Sequence, residues 1–338
     1  MIKIKKLLVC EFITGGGLSA QPLPDSLVRE GTLMRDALLS DLSELSDYEI
    51  TTTHDMRLTS FKFVLHSVVV EADNFFGIFE TLLRKTDYLW LIAPETNGIL
   101  RYLTSRCIVY KKTVIGCNSI SVINKTSSKF ATFIALQKAG IPTINTFRHD
   151  NIYKINNINL SDGVIIKPDD GAGSDGLFYL TQAEFTAKAD FYFAKTKGNM
   201  VMQPYQPGIP ASMCLLCKDG QAWLLSANRQ IFQRKNQHLI LKGCVVNGLL
   251  QYWDAFEAIG MKIAEAMPQL RGYIGVDLII DEENDSVLVV EINPRLTTSY
   301  AGLREAMGCN PAKIILDCLL NESFIMPPIA KNHVEVLI

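Results

Sequence analysis

The stretch Lys167–Leu177, KPDDGAGSDGL, lies between two apolar runs, GVIIK before it and LFYL at its end. Its glycines match G-x-G-x-x-G, the spacing of dinucleotide-binding turns and of the kinase glycine-rich loop. A dinucleotide turn opens directly into a helix, whose free N–H groups receive the pyrophosphate. Here the aromatic run Leu177–Leu180 suits a strand, and the next helix signal is the capping box Thr181-Gln182-Ala183-Glu184. Strand, glycine turn, strand is a hairpin that can fold over phosphates, and it argues against a Rossmann turn here. Lys167 ends the first strand, where its ammonium reaches whatever the glycine amides cover.

Two different patterns flank this hairpin. Before it, strands and helices alternate. Leu7–Ile13 is an apolar strand, Thr14–Gly17 a flexible turn, and Leu27–Leu45 a helix with Leu27, Met34, Leu38 and Leu42 on or near one face. Strands at Lys62–Val70, Tyr88–Ala93 and Thr113–Cys117 are separated by helices at Phe75–Arg84 and Gly98–Ser105. Alternation of this kind predicts a parallel α/β sheet covered on both faces. A helix then runs from Ser127 to Ala139, where Gly140 and Pro142 stop it. Beyond it come short strands, several antiparallel, at Val164–Lys167, Leu177–Leu180, Asn199–Gln203, Ser212–Cys217, Ala222–Ala227, Gly275–Ile280 and Ser286–Ile292. Helices intervene at Thr181–Ala189 and Trp253–Ala266. The expected class is therefore α/β followed by α+β.

Bulk properties exclude several classes. A net charge of −2 leaves none of the basic footprint of a nucleic-acid binder, and no apolar run approaches the ~20 residues of a membrane span. The N-terminus, MIKIKKLLVCEF, begins like a signal peptide, but Glu11 interrupts the apolar part and no small-residue cleavage site follows. A first strand and a cytoplasmic location are expected. The 8 cysteines are scattered. Cys214 and Cys217 form a C-x-x-C inside the hairpin ASMCLLCKDGQAWLLS, where positions i and i+3 of a strand face opposite sides and chelate poorly. They read as packing thiols. The histidines at 54, 66, 149, 238 and 333 are dispersed, and no Ser–His or Cys–His arrangement stands out.

A second constellation accompanies the loop. Glu291 and Asn293 stand two apart on an apolar strand and share a face; Asp277 lies on the preceding strand, across the acidic turn 281–285. If the strands pair, two carboxylates and an amide oxygen meet, a hard-oxygen set suited to Mg²⁺. Arg295 follows, placed to neutralise charge on a transferring phosphoryl group.

Taken in order, Ser128-Lys129, the helix end AGIP, IIKPDDGAGSDG, VMQPY, GVDL and VEINPR resemble the serial signature of the ATP-grasp ligases over about residues 120–310. The resemblance implies an N-terminal pre-ATP-grasp α/β domain (1–122), a small lobe with the glycine-rich loop (123–203) and a large lobe with the metal and substrate site (204–338). It assigns Lys129, which stands eleven residues before Gly140, and Lys167 to ATP phosphates, with Gly171, Ala172, Gly173, Ser174 and Gly176 in the closing loop. Gln203-Pro204-Tyr205 becomes the adenine hinge, and Asp277, Glu291 and Asn293 hold Mg²⁺ or Mn²⁺. The family's acidic ribose ligand after the hinge is missing from QPYQPGIPASM, which leaves Gln203 and Ser212 as candidates.

The chemistry that the resemblance implies is phosphorylation of a carboxylate by ATP, then attack by an amine. Arg229, beside Asn228, is expected to bind acylphosphate or substrate carboxylate. Thr298 and Ser299 offer hydroxyls and helix-start amides for a carboxylate, or alternatively cap the chain locally. EFITGGGL, IAPETNGIL and NPRLTTSYAGLR resemble one subgroup, the tyramine–glutamate ligases of methanofuran biosynthesis. Glu11, Gly16 and Glu95 lie at the C-terminal ends of strands, where such sheets bind ligands, and are candidates for the second-substrate pocket. The implied partners are a small-molecule carboxylate and amine, with a homodimer open and neither nucleic acid nor membrane expected. A small-molecule kinase on the same fold, a ligase for another amino-acid or peptide-like substrate, and a non-catalytic nucleotide binder are the alternatives.

Overall fold

The computed structural model describes residues 4–59, 61, 66–71, 73–148, 158–171, 176–187 and 199–338. The first sheet is built from β1 (Lys5–Glu11), β2 (Tyr48–Asp55), β3 (His66–Val70), β4 (Tyr88–Ile92) and β5 (Thr113–Ile115), all parallel in the order β3-β2-β1-β4-β5. Helices α1 (Asp25–Ser43), α2 (Phe75–Lys85) and α3 (Ile99–Val109) make the crossovers. This strand order reverses between β1 and β4, so their carboxyl ends flank the crevice where doubly wound sheets receive ligands.

Two elements here escape the periodicity argument. β2 reads YEITTTHD, with no apolar run, yet Thr52 is buried and its Oγ1 donates to the Val9 carbonyl at 3.0 Å. Threonine is β-branched and fits a central strand once its hydroxyl has a partner. The expected helix over 127–139 is α5 (Lys129–Lys138), and a further short helix that was not expected, α4 (Ile120–Thr126), precedes it. The chain breaks at Ser128, which takes an extended conformation and caps α5 by accepting from the Ala131 amide at 3.0 Å.

The second sheet is antiparallel throughout. Its strands are β6 (Phe147–Arg148), β7 (Val164–Pro168), β8 (Phe178–Leu180), β9 (Met200–Pro204), β10 (Ile209–Lys218), β11 (Gln221–Lys235), β12 (His238–Val246), β13 (Gly272–Asp281), β14 (Ser286–Asn293) and β15 (Val334–Leu337). They run in the order β14-β13-β10-β11-β12-β8-β7-β9-β6, with β15 on β12. The β10–β11 hairpin turns at Asp219-Gly220, both with positive φ, as a two-residue turn between right-twisted strands requires. β11 runs on to Lys235, well past the expected Ala227, because its far half is mostly polar; β12, apolar in HLIL and CVV, was also not anticipated.

Helix α6 (Trp253–Ala266) packs on this sheet, and α7 (Leu303–Met307) and α8 (Pro311–Leu320) follow the metal-candidate strand β14. Asn310 caps α8, accepting from the Lys313 amide at 3.0 Å, and Pro311 occupies its first turn. Thr181 and Glu184 form the expected capping box, Glu184 accepting from the Thr181 amide at 2.9 Å; the helix is described over 182–187, and positions 188–189 lie outside the described residues.

Two large apolar clusters each draw side chains from both sheets. One joins Leu8, Phe79 and Leu103 to Met213, Ile263 and Ile274, and the other joins Leu38 and Trp90 to Leu216, Tyr300 and Leu316. The first sheet and the body of the second therefore share a core. β7–β9 have their own cluster around Val164, Ile166, Leu180 and Met202, which makes this lobe a separate packing unit. No helix among the described residues is long and apolar enough to cross a membrane.

Candidate functional site

β13 and β14 pair antiparallel with Asp277 opposite Glu291 and Gly275 opposite Asn293. The period of two puts Asp277, Glu291 and Asn293 on one face of one cleft. Asn293 Nδ2 donates to Asp277 Oδ2 at 3.2 Å, which leaves its carbonyl oxygen free to accept. Gln230 of β11 donates Nε2 to the other Asp277 oxygen at 2.7 Å.

Two lysines arrive from the small lobe. Lys129 Nζ stands 3.3 Å and Lys167 Nζ 3.7 Å from Glu291 Oε2, and both ammonium groups are buried. Lys129 Nζ also donates to the Gly171 carbonyl at 2.8 Å. Asp169 holds this arrangement together. Its carboxylate accepts from the Phe130 amide at 2.9 Å, from Ser128 Oγ at 2.8 Å and from Arg148 at 2.7 Å, while its own carbonyl accepts from the Lys129 amide. A carboxylate at the first turn of α5 satisfies orphan amides and favours the helix dipole. Asp169 thus ties the base of the glycine loop to the start of α5 and brings two lysines 38 positions apart in the chain to one carboxylate. Sequence reading singled out the loop's glycines and passed over Asp169; a buried carboxylate beside a helix start shows only once the two segments are adjacent.

Burial shifts these groups in opposite senses. Burial, reinforced by Glu291 alongside, pushes the Asp277 carboxyl up. Burial would also raise Glu291, but Lys129 and Lys167 outweigh it and hold that carboxyl down. Lys167 is lowered by burial, with Glu291 opposing. Two adjacent carboxylates, one of them short of positive charge, with an amide oxygen beside them, are a hard-oxygen set that a divalent cation relieves. Among the described residues no group of three or more His, Cys, Asp or Glu could hold a metal on its own, so a cation here would complete its shell from phosphate and water.

The glycine loop is described at its two ends. Gly171 lines the cleft, and Gly176 has φ +71°, a left-handed turn that a side chain would resist. Ala172, Gly173 and Ser174 lie outside the described residues, as does His149. Gln203, Pro204 and Tyr205 line the cleft at its apolar end with Leu239 and Leu278. The Gln203 amide donates to Thr146 Oγ1 at 2.9 Å and the Tyr205 N–H to the Gly163 carbonyl at 2.9 Å. Ser212 also lines the cleft.

At the opposite end, Thr298, Ser299 and Arg295 face the cleft. The Arg295 fork is engaged by Glu95, with Nε 3.0 and 3.2 Å from the two oxygens and one terminal nitrogen at 2.9 Å; the other terminal nitrogen donates to the Leu296 carbonyl. Next to Glu95, Thr96 Oγ1 donates to the Asp170 carbonyl at 3.1 Å and the Asn97 amide to the Asp170 carboxylate at 3.1 Å. The turn 95–97 of the first sheet therefore clasps both Arg295 and the base of the glycine loop.

Six described residues of the expected site do not line the cleft: Glu95 and Gly176, placed above, and Glu11, Gly16, Asn228 and Arg229. Glu11 is buried beneath the turn after β1, accepting from the Ile13 amide at 3.2 Å and from the Thr14 amide and hydroxyl. Gly16, expected in a flexible turn, is packed at φ +97° with room for no Cβ, which would meet Val70 at 2.5 Å. Asn228 is wholly buried, donating to Ser212 Oγ at 3.3 Å and accepting from the Asn247 amide at 3.2 Å. Arg229 alternates to the opposite, exposed face of β11; the residue that faces Asp277 is its neighbour Gln230. Strand alternation from Asn228 would have identified Gln230. Glu30 and Met34 of α1, which also line the cleft, carried no motif at all.

A parallel α/β sheet packed against an antiparallel sheet, with two buried lysines converging on a carboxylate pair in one cleft, is the build of a nucleotide-binding enzyme. Residues 126–299 match the ATP-grasp domain and residues 48–122 the pre ATP-grasp 3 domain. The chain belongs to the ATP-grasp family and is an ATP-dependent ligase. It is 27% identical over 285 residues to a tyramine--L-glutamate ligase of Methanocaldococcus fervens, covering 83% of this chain and 84% of that one. In fold it resembles an ATP-grasp superfamily protein from Archaeoglobus fulgidus (TM-score 0.69, 22% identity, 98% of this chain and 99% of that one). It also resembles the biotin carboxylase domain of the Hydrogenobacter thermophilus 2-oxoglutarate carboxylase, solved with MgADP and bicarbonate (TM-score 0.74, 16% identity, 97% of this chain and 72% of that one).

Proposed function

We propose that this protein joins the carboxylate of an amino acid to a primary amine with conversion of ATP to ADP and phosphate, with L-glutamate and tyramine as the pair. The observation that carries the reading is the convergence of Lys129 and Lys167 on Glu291, beside Asp277, in a cleft whose far end offers Arg295, Thr298 and Ser299. The substrate pair rests on the tyramine--L-glutamate ligase relative.

In this reading residues 1–122, 123–203 and 204–338 act as the pre-ATP-grasp domain, small lobe and large lobe. The adenine lies along Gln203–Tyr205, and the phosphates meet Lys129, Lys167 and the loop from Gly171 to Gly176. The lysines then exchange Glu291 for phosphate oxygens, which frees that carboxylate. Asp277, Glu291 and the Asn293 carbonyl oxygen would hold Mg²⁺, which when bound neutralises charge on the β- and γ-phosphates. A substrate carboxylate oxygen attacks the γ-phosphorus, the bond to the β–γ bridging oxygen breaks, and ADP leaves. The amine nitrogen then attacks the acyl carbon, the bond to the phosphate oxygen breaks, and the nitrogen gives up a proton. Arg295, held in orientation by Glu95, supplies positive charge at the far end of the transfer.

An ADP-release screen of amino acids crossed with amines tests this, with L-glutamate and tyramine first and the product identified by mass. The expected product is the amide. AMP release, no ADP with any pair, or a phosphorylated acceptor, as from a kinase, overturns it. Glu291→Ala is expected to abolish turnover in a folded protein, and unchanged turnover would refute the metal assignment.

A further inference from the structure

The far end of the cleft carries one carboxylate that nothing answers. Glu30 of α1 lines the cleft together with Met34, one helical turn on. Among the described residues Glu30 makes no hydrogen bond and no ion pair. Arg295, the cation that acts most on it through space, directs its hydrogen bonds to Glu95 and the Leu296 carbonyl rather than to Glu30. Burial pushes the Glu30 carboxyl up, with Arg295 and Arg29 acting against that push only through space. A half-buried carboxylate without a partner is costly unless a cation comes to it. At the other end of the cleft both lysines meet Glu291, and Asp277 accepts from Gln230 and Asn293, so each carboxylate there has its own side-chain partners. Glu30, by contrast, stands at the substrate end without a side-chain partner, and no group of three or more potential metal ligands surrounds it among the described residues.

Resting on the ligase reading above, we propose that Glu30 is the ammonium-recognising residue of this enzyme. Its carboxylate receives the –NH₃⁺ of a primary-amine substrate against the wall formed with Met34, and so selects substrates that carry a cationic nitrogen. Two substrates of the reaction bear such a group, the α-ammonium of the amino-acid donor and the ammonium of the acceptor amine. The chemistry of recognition is the same for both.

The test uses the full-length enzyme, Glu30→Gln, and ADP release with KM measured separately for L-glutamate, tyramine and ATP. A charge-assisted hydrogen bond lost to a substrate corresponds to about a 10- to 100-fold rise in KM. The expected result is a rise of that size for one ammonium substrate, with KM for ATP within about threefold of wild type. Glutarate, which lacks the α-ammonium, separates the two sources. If the donor is the ligand, Glu30→Gln loses no further efficiency on glutarate relative to wild type; if the acceptor is, the tyramine KM rises whichever donor is used. Glu30→Asp, which keeps the charge, is expected to recover part of the loss. An active wild type whose Glu30→Gln variant keeps all three constants refutes the ammonium site alone. A parallel rise in all three, with Glu30→Asp no better than Glu30→Gln, also refutes it. No ADP from the wild type with any pair refutes the ligase reading and this site with it.

Discussion

Glu95 and Arg295 are 200 positions apart, and their pairing is the most exposed test of how the first sheet supports the site. Both side chains are nearly buried, at 5% and 11% exposure, and three of the guanidinium's contacts go to the one carboxylate. Glu95→Ala leaves the buried guanidinium with one hydrogen bond, to the Leu296 carbonyl, and with Glu30 and Glu291 acting on it only through space. Removing one partner of a buried pair costs about 3–5 kcal/mol, because the surviving charge is uncompensated. At about 2.1 cal/mol/K per residue, unfolding of a 338-residue chain changes by ~0.7 kcal/mol per kelvin. The thermal midpoint should therefore fall by about 4–7 °C. Deleting both groups removes the stranded charge, so Glu95→Ala with Arg295→Ala should be less destabilised than the two single losses combined, by about 2 kcal/mol or ~3 °C. Scanning calorimetry of the four proteins completes the cycle. A Glu95→Ala midpoint within about 1 °C of wild type, or a cycle that is simply additive, refutes the argument that burial makes this pair depend on both members.

Further consequences follow from the same geometry. Gln230→Ala should lower kcat/KM by about 10-fold through loss of support to Asp277, whereas Arg229→Ala, on the other face of β11, should stay within about twofold; the reverse ranking in ADP-release kinetics would contradict the observed alternation. Asp169→Ala removes three bonds from the junction of loop and α5 and should cost about 2–4 kcal/mol together with a raised KM for ATP; a fluorescence-monitored unfolding midpoint identical to wild type would count against it. Because burial and then Glu291 raise the Asp277 carboxyl, a proton occupies it at pH values where an ordinary carboxylate is already ionised. Mg²⁺ must displace that proton, so MgADP affinity should keep rising with pH above the ordinary carboxylate range, with proton release on binding. Titration calorimetry in two buffers of different ionisation enthalpy measures this, and pH-independent binding without proton release would refute it. Gly16→Ala, forced into Val70 at positive φ, should be destabilised by about 2–3 kcal/mol, a loss visible in the thermal midpoint.

Much of the fold was legible because it rests on periodicity and on local geometry. The glycine hairpin declared itself through the strand after it, α6 was bounded by its own apolar spacing, and Asp277, Glu291 and Asn293 met because a tight hairpin and a period of two leave them no other side. β2 and the outer half of β11 were not legible, since threonine-rich and polar strands carry no apolar alternation and are held by neighbours distant in the chain.

The sequence by itself determined which groups could be assembled: two lysines, a glycine-rich segment and a carboxylate pair, in an order that a period of two and one tight hairpin bring to a common face. Tertiary structure alone decided who stands next to whom across the chain. It buried Glu11 and Asn228 as supports, gave Arg295 to Glu95, and presented an unpaired Glu30 to the cleft from a helix with no motif. Side-chain direction along a strand is a local property that a sequence states. Charge compensation is a property of three-dimensional neighbours, and it is set by packing between segments such as those of Glu95 and Arg295, 200 positions apart.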